Sequence, residues 1–219
     1  MDFLFSAKAF IFDLDGTLID SVEAHIRSWI NSFRLAAGVD IPSSMLEPLI
    51  GLSGEDIVRK ILGKQGVEIY GVIRRLKDRF FLKELREGRV PPFPSAHKLL
   101  KLLVKSGFKV GIATSTPTYM ATHILDFLGF LDYIDAYVCG DDVARGKPNP
   151  DIFDEAFCRL RVSPQEGVVV GDTLYDVVPA HRLGATAVLV NGHGPWRPRY
   201  STLEDLTSEV VKVISEGVA

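Results

Sequence analysis

Cysteine is almost absent: Cys139 and Cys158 are the two in 219 residues. Two are too few for a disulfide scaffold and lack the spacing of a zinc cluster, so both read as small buried apolar residues and a reducing cytosol is the simplest home. Long hydrophobic runs are missing as well. No apolar segment reaches the roughly 20 residues that span a bilayer, so no membrane partner is expected. The apolar start, Met1 to Phe12, is broken by Asp2 and Lys8 and has no basic leader, which makes it a first strand and not a signal peptide. Nor does one sign of charge dominate. With 25 Lys and Arg against 28 Asp and Glu, the net charge of −3 offers no global field for nucleic acid, and any basic site must be local. Internal repeats and low-complexity tracts are also lacking.

What is present is ample apolar content, 47% of the chain, enough for one large domain or a core with a smaller insert. Five short β-branched or aromatic runs are each followed by a helical stretch or a turn: Ala9–Leu14, Phe108–Ala113, Ala136–Cys139, Val168–Val170 and Thr186–Val190. Thr116 before Pro117, and Asn149 before Pro150, are expected to cap helices whose first position is proline. Strand and helix alternating in this way predict an α/β fold, a Rossmann-like doubly wound parallel sheet built from right-handed crossovers. Ligands of such sheets collect at the carboxyl ends of the strands.

Roughly 90 residues separate the first two strands, too many for one crossover. They predict an inserted all-helical domain over 20–91, with the sheet domain made from 1–19 and 92–219. Asp20 with Glu23 resembles a capping box, and Val22, Ile26, Trp29, Ile30 and Phe33 follow it at helical spacing. Ser53 and Asp56 repeat the signature before Ile57, Ile61 and Leu62. A third helical pattern covers about Val67 to Glu87, and Val90-Pro91-Pro92-Phe93-Pro94 leads back to the sheet.

Asp13-Leu14-Asp15-Gly16-Thr17-Leu18, at the tip of the first strand, carries the chemical signal. Neighbouring anions repel and cost desolvation, so a paired-carboxylate tip is most easily explained by a divalent cation. A solvated Asp-Gly turn is the plain alternative. Three further polar clusters follow later strands: Thr114-Ser115-Thr116, Lys147-Pro148-Asn149-Pro150, and Gly171-Asp172-Thr173 with Asp176. Each alone is explained as a helix cap, a surface cation or a helix start. Their joint occurrence on one sheet edge points to a site.

With these residues the chain resembles the haloacid dehalogenase superfamily, in the phosphoglycolate phosphatase and β-phosphoglucomutase-like branch that carries a helical cap after the first strand. Asp13 to Thr17 resemble the first motif, Thr114 the second, Lys147 the third, and Gly171-Asp172 with Asp176 the fourth. The resemblance implies that Asp13 is the nucleophile and Asp15 the acid and base. It implies magnesium as cofactor, held by Asp13, the Asp15 carbonyl and Asp172, with Asp176 supporting a metal water or binding directly. Thr114 and Ser115, Lys147, and close backbone N–H groups of Gly16 and Thr17 would receive the phosphoryl group. The implied activity is phosphoric monoester hydrolysis of a small-molecule phosphate, by a monomer or weak homodimer.

Asp15 separates the chain from dehalogenases, which lack an acid there, and from phosphonatases. The harder rival is a β-phosphoglucomutase-like isomerase, since Asp20, His25, Arg27, Trp29 and the run Gly51 to Asp56 resemble its cap. That enzyme's cap arginine is here Gly54, and its Ser-Lys-Asn cluster is here Thr116-Pro117-Thr118. Losing those cationic contacts should weaken a bisphosphate's hold, which favours water as acceptor. A non-catalytic binding module is the third reading. Leu52, Ser53 and Gly54 are the expected specificity element. His25 reads either as a packing histidine or as a group ordering the closed site. The basic run from Arg74 to Arg89 reads as a solvated helix face, and 191–196 as a loop in which Trp196 could meet a ligand.

Overall fold

The computed structural model of the chain describes residues 7–192 and 200–216. Residues 1–6, and His193 to Trp196 with any role of Trp196, lie outside them. Five strands form one parallel sheet: β1 Ala9–Phe12, β2 Lys109–Ala113, β3 Ala136–Val138, β4 Gly167–Gly171 and β5 Thr186–Leu189. Nine α-helices are found among the described residues: α1 Val22–Ala37, α2 Ser43–Leu46, α3 Gly54–Glu68, α4 Tyr70–Arg86, α5 Ala96–Lys105, α6 Thr118–Phe127, α7 Asp151–Leu160, α8 Leu174–Arg182 and α9 Leu203–Glu216. Packing divides the chain into two compact units, Met1–Ile19 with Pro92–Ala219, and Asp20–Pro91.

The sheet order is β3-β2-β1-β4-β5. The chain steps outward from β1 through β2 to β3, then returns to the other side of β1 to lay down β4 and β5. β1 and β4 therefore flank the point where the direction of winding reverses, which is where α/β sheets open a crevice at their carboxyl ends. β1 is buried on both faces, as its unbroken Ala-Phe-Ile-Phe run requires of a central parallel strand. Ala9 and Ile11 point into a cluster with Phe153 and Phe157 of α7 and Ala180 of α8. Phe10 and Phe12 alternate to the opposite face, where Phe108 meets Phe10 edge-on at 5.2 Å.

Asp20–Pro91 is all-helical, with α1 and α4 as its main packed pair. Trp29 stacks near Phe33, and His25 lies flat on Phe81 with ring centroids 4.1 Å apart. Glu84 takes the forked guanidinium groups of both Arg27 and Arg89, which holds its carboxyl down at about 2. Lys77 departs from the solvated-face reading of α4. It is 7% exposed, with its ammonium 4.8 Å from the Phe81 ring centroid and 5.8 Å from that of Trp29.

Several local expectations need correction. The capping box at Asp20 is not formed: α1 starts after Ser21, whose side chain makes no capping bond. Pro117 and Pro150 stand at the N-caps and not at the first helical position. Asp141 caps α6 instead, accepting from both the N–H and the hydroxyl of Thr118 at 2.7 Å. The third helical pattern starts at Tyr70, after a helical stretch that kinks at Gly63 (φ +70°) and ends at Glu68. Cys139 is buried as expected, but Cys158 is exposed on α7. No described helix is long and apolar enough to cross a membrane.

Candidate active site

Asp13, Thr114 and Asp172 each follow the last residue of a strand, β1, β2 and β4 respectively. The ladders continue one bond past the strands: Asp13 N–H donates to Val170 O at 2.8 Å and Thr114 N–H to Val138 O at 3.0 Å. Rigid backbone thus sets the three side chains on one edge, with Asp13 and Asp172 on the two strands that flank the reversal.

Beyond Asp13 the chain turns sharply. Leu14 O accepts the N–H groups of Thr17, Leu18 and Ile19, and Gly16 N–H donates to Ile19 O at 2.9 Å. The Gly16 and Thr17 N–H groups, expected to face a phosphate, bond within the turn in this structure. Gly16 serves by being small: its φ is +83°, and a Cβ there would stand 2.3 Å from Asp172 Oδ2. The Thr17 hydroxyl donates to Asp172 Oδ1 at 3.2 Å. From beyond β5, Asn191 Nδ2 donates to the carbonyls of Gly16 and Thr17, while its Oδ1 accepts from Leu203 N–H at the start of α9.

Lys147 is the electrostatic centre. Its ammonium is 1% exposed and donates to Asp13 Oδ1 at 2.7 Å and to Asp176 Oδ1 at 2.6 Å. The Asp176 Oδ2 atom accepts from Thr173 N–H and hydroxyl, closing a capping box at the start of α8. Burial pushes the Asp13 carboxyl up to about 7; Lys147 opposes this, and the Asp176 and Asp15 charges add to it. Burial, then Asp13 and Asp176, hold Asp172 well above the usual carboxylate range. Burial works against the Lys147 cation, yet the two aspartates outweigh it and raise the group above its ordinary value.

Carboxylate oxygens of Asp13, Asp172 and Asp176 lie within 4.8 Å of one another, all three buried. Three buried carboxylates sharing one ammonium carry a repulsion and desolvation cost that a bound divalent cation would offset, and their oxygens could hold a metal ion. Asp176, expected mainly as a support for the metal water, sits in the cluster itself.

Thr114 Oγ1 accepts from Thr116 N–H at 3.1 Å, which leaves its own hydroxyl proton available to donate. Ser115 is half-buried, and its carbonyl lies 2.4 Å from where a Cβ on Gly140 would stand. The Thr116 hydroxyl donates to Asp15 Oδ2 at 2.7 Å. In the sequence Thr116 falls in a site cluster and reads as a helix cap, with nothing to show its bond to Asp15, and Asn191 reads only as part of a loop. No local pattern exposes either, since both act on residues more than 100 positions away.

The remaining candidates lie in the helical unit. His25 and Leu52 are buried there, and Ser53 caps α3 by accepting from Asp56 N–H at 3.2 Å. Gly54 faces α4: a Cβ there would stand 2.8 Å from the Tyr70 hydroxyl and 3.4 Å from the Trp29 ring.

A doubly wound sheet with an acidic cluster, a buried lysine and a threonine hydroxyl on its carboxyl edge defines an enzyme of phosphoryl chemistry. The sequence pattern of the haloacid dehalogenase-like hydrolases matches residues 10–190, and the chain belongs to that family. It is 30% identical over 219 aligned positions to a phosphoglycolate phosphatase of Salmonella typhimurium, covering 86% of this chain and 82% of that one. A hydrolase from Pseudomonas syringae superposes with a TM-score of 0.83 at 27% identity, over 94% of this chain and 99% of the other. A β-phosphoglucomutase of Clostridium difficile shares the fold, with a TM-score of 0.78 at 21% identity over 95% and 99%.

Proposed function

We propose that the chain is a magnesium-dependent phosphatase of small phosphorylated metabolites, working through an aspartyl-phosphate. The observation that carries this reading is the placement of Asp13 against a buried Lys147, with Asp15 and Thr114 on the same sheet edge. Asp13, Asp172 and the Asp15 carbonyl would hold the magnesium, with Asp176 binding or supporting it, and the ion would neutralise phosphoryl charge.

In the first half-reaction an Asp13 carboxylate oxygen attacks phosphorus as the ester P–O bond breaks, and Asp15 passes its proton to the departing oxygen. In the second, Asp15 takes a proton from the water that attacks phosphorus, and the Asp13–phosphoryl bond breaks to release inorganic phosphate. Lys147 restrains the nucleophile and balances its charge, and the Thr114 hydroxyl donates to a phosphoryl oxygen. A carboxyl two residues past the nucleophile on a turn, within reach but not competing for phosphorus, suits the acid's part.

The phosphatase named among the relatives supports a phosphoglycolate or sugar phosphate type of substrate. We read residues 20–91 as the family's cap, with Leu52 to Gly54 and His25 toward specificity, and 1–19 with 92–219 as the core. A cytosolic monomer or weak dimer completes the reading. Gly54 favours hydrolysis over the isomerase alternative, because it offers no cation to the distal phosphate of a bisphosphate.

A phosphate-release screen over a broad panel of phosphomonoesters, with and without magnesium, tests it. Magnesium-dependent release is expected, with loss of turnover in Asp13→Asn. Conversion of a hexose 1-phosphate to its 6-phosphate under a bisphosphate activator, with little phosphate released, would establish the isomerase instead.

A further inference from the structure

We propose that Thr116 is the positioning residue of the leaving-group acid, Asp15. The inference rests on the phosphatase reading and adds to it a residue that neither the motifs nor the acidic cluster include. Thr116 is buried at the tip of β2, and its hydroxyl reaches across to the tip of β1 to donate to Asp15 Oδ2 at 2.7 Å.

The hydroxyl has no part in starting α6, since Asp141 makes that cap. The backbone of Thr116 is fixed independently: its N–H donates to Thr114 Oγ1 at 3.1 Å and its carbonyl accepts from Gly140 N–H at 3.2 Å. One residue thus joins the hydroxyl that receives the phosphoryl group to the carboxyl that serves the leaving oxygen. The distance between those two functions is set by a three-residue turn, Thr114 to Thr116, and the bond it makes to Asp15.

A hydroxyl held on Oδ2 fixes the plane of the Asp15 carboxyl in both protonation states, because Oδ2 accepts in either. Oδ1 then carries the proton to the ester oxygen. As the Asp13 oxygen–phosphorus bond forms, the ester oxygen–phosphorus bond breaks and its electron pair takes that proton, leaving alcohol and an Asp15 carboxylate still bonded to Thr116. Well-placed acids of this kind contribute about 100- to 10,000-fold, and loss of alignment forfeits part of it.

Thr116→Val keeps the backbone bonds and the volume but removes the donor. An alkyl ester leaves poorly without a proton, whereas p-nitrophenolate departs readily as an anion. The test compares kcat/KM for the alkyl phosphate turned over fastest in the screen with kcat/KM for p-nitrophenyl phosphate. This parameter covers only the steps through release of the alcohol, so the shared water step drops out. Thr116→Val should lower the alkyl-to-aryl ratio by about 10- to 100-fold, and Thr116→Ser should restore it. Thr116→Ala reads the same ratio should the valine not fold. Equal losses on both esters, or no change in the ratio, would overturn the proposal in favour of a purely structural threonine. Wild-type protein that cleaves neither ester overturns the phosphatase reading and this one with it.

Discussion

Lys147 donates to Asp13 at 2.7 Å with both side chains almost wholly removed from water, although 134 residues separate them in the chain. The same ammonium reaches Asp176 at 2.6 Å, so one cation holds the candidate nucleophile and a second member of the acidic cluster together. Two anions sharing a buried cation are stable only while that cation remains or another replaces it.

Replacing the lysine should expose that dependence. Asp13 is already pushed up to about 7, so its ionised form costs stability as pH rises through that value, and Lys147 offsets the cost. Lys147→Met, without metal, is expected to lose about 2–4 kcal/mol at pH 8, near the range for breaking a buried pair. At pH 5 a proton can stand in for the ammonium, so the loss should shrink. Urea unfolding at the two pH values checks this, and an equal loss at both would refute it.

Magnesium should replace repulsion with coordination. Thermal unfolding is expected to shift upward by several degrees with millimolar magnesium and to fall back with chelator, because a ligand that binds only the folded state stabilises it. Asp172→Asn should remove most of the shift. Gly16→Ala should remove it too, since the added Cβ would meet Asp172 Oδ2 at 2.3 Å on a backbone with φ of +83°. A full magnesium shift in Gly16→Ala would show that the cluster does not need this close approach.

In the helical unit the acid-sensitive group is Glu84. Its carboxyl is held at about 2, below the ordinary 4.5, by hydrogen bonds from Arg89 and Arg27. A depressed carboxyl contributes stability that is present above the unfolded value and lost as pH falls through the folded one. The difference between wild type and Glu84→Gln should thus be constant above about pH 5 and vanish toward pH 2. Both arginine side chains are nearly half exposed, so solvent screening limits the constant difference to on the order of 1 kcal/mol. Denaturant titrations from pH 7 down to pH 2.5 read it, and a difference that grows on acidification would contradict the assignment.

The sequence by itself determined the parallel sheet, the helical insert and the residues on the active edge. These are repeated, redundant signals: strand runs buried on both faces, and polar clusters placed directly after them. Asp13, Asp15, Thr114, Lys147 and Asp172 stood out because such residues at strand ends carry a desolvation cost that chemistry must justify. Tertiary structure alone decided the bonding among them. Thr116 before proline reads as a cap, yet Asp141 takes that role and frees the hydroxyl for Asp15. Gly16 and Thr17 suggest phosphate donors in the sequence, and the turn bonds their N–H groups to Ile19 and Leu14 carbonyls. Lys77 sat in a charged run until Trp29 of α1 and Phe81 of its own helix brought aromatic rings to its ammonium. Hydroxyls, amides and ammonium groups bond whatever geometry presents, and over 100 residues only the folded chain sets that geometry.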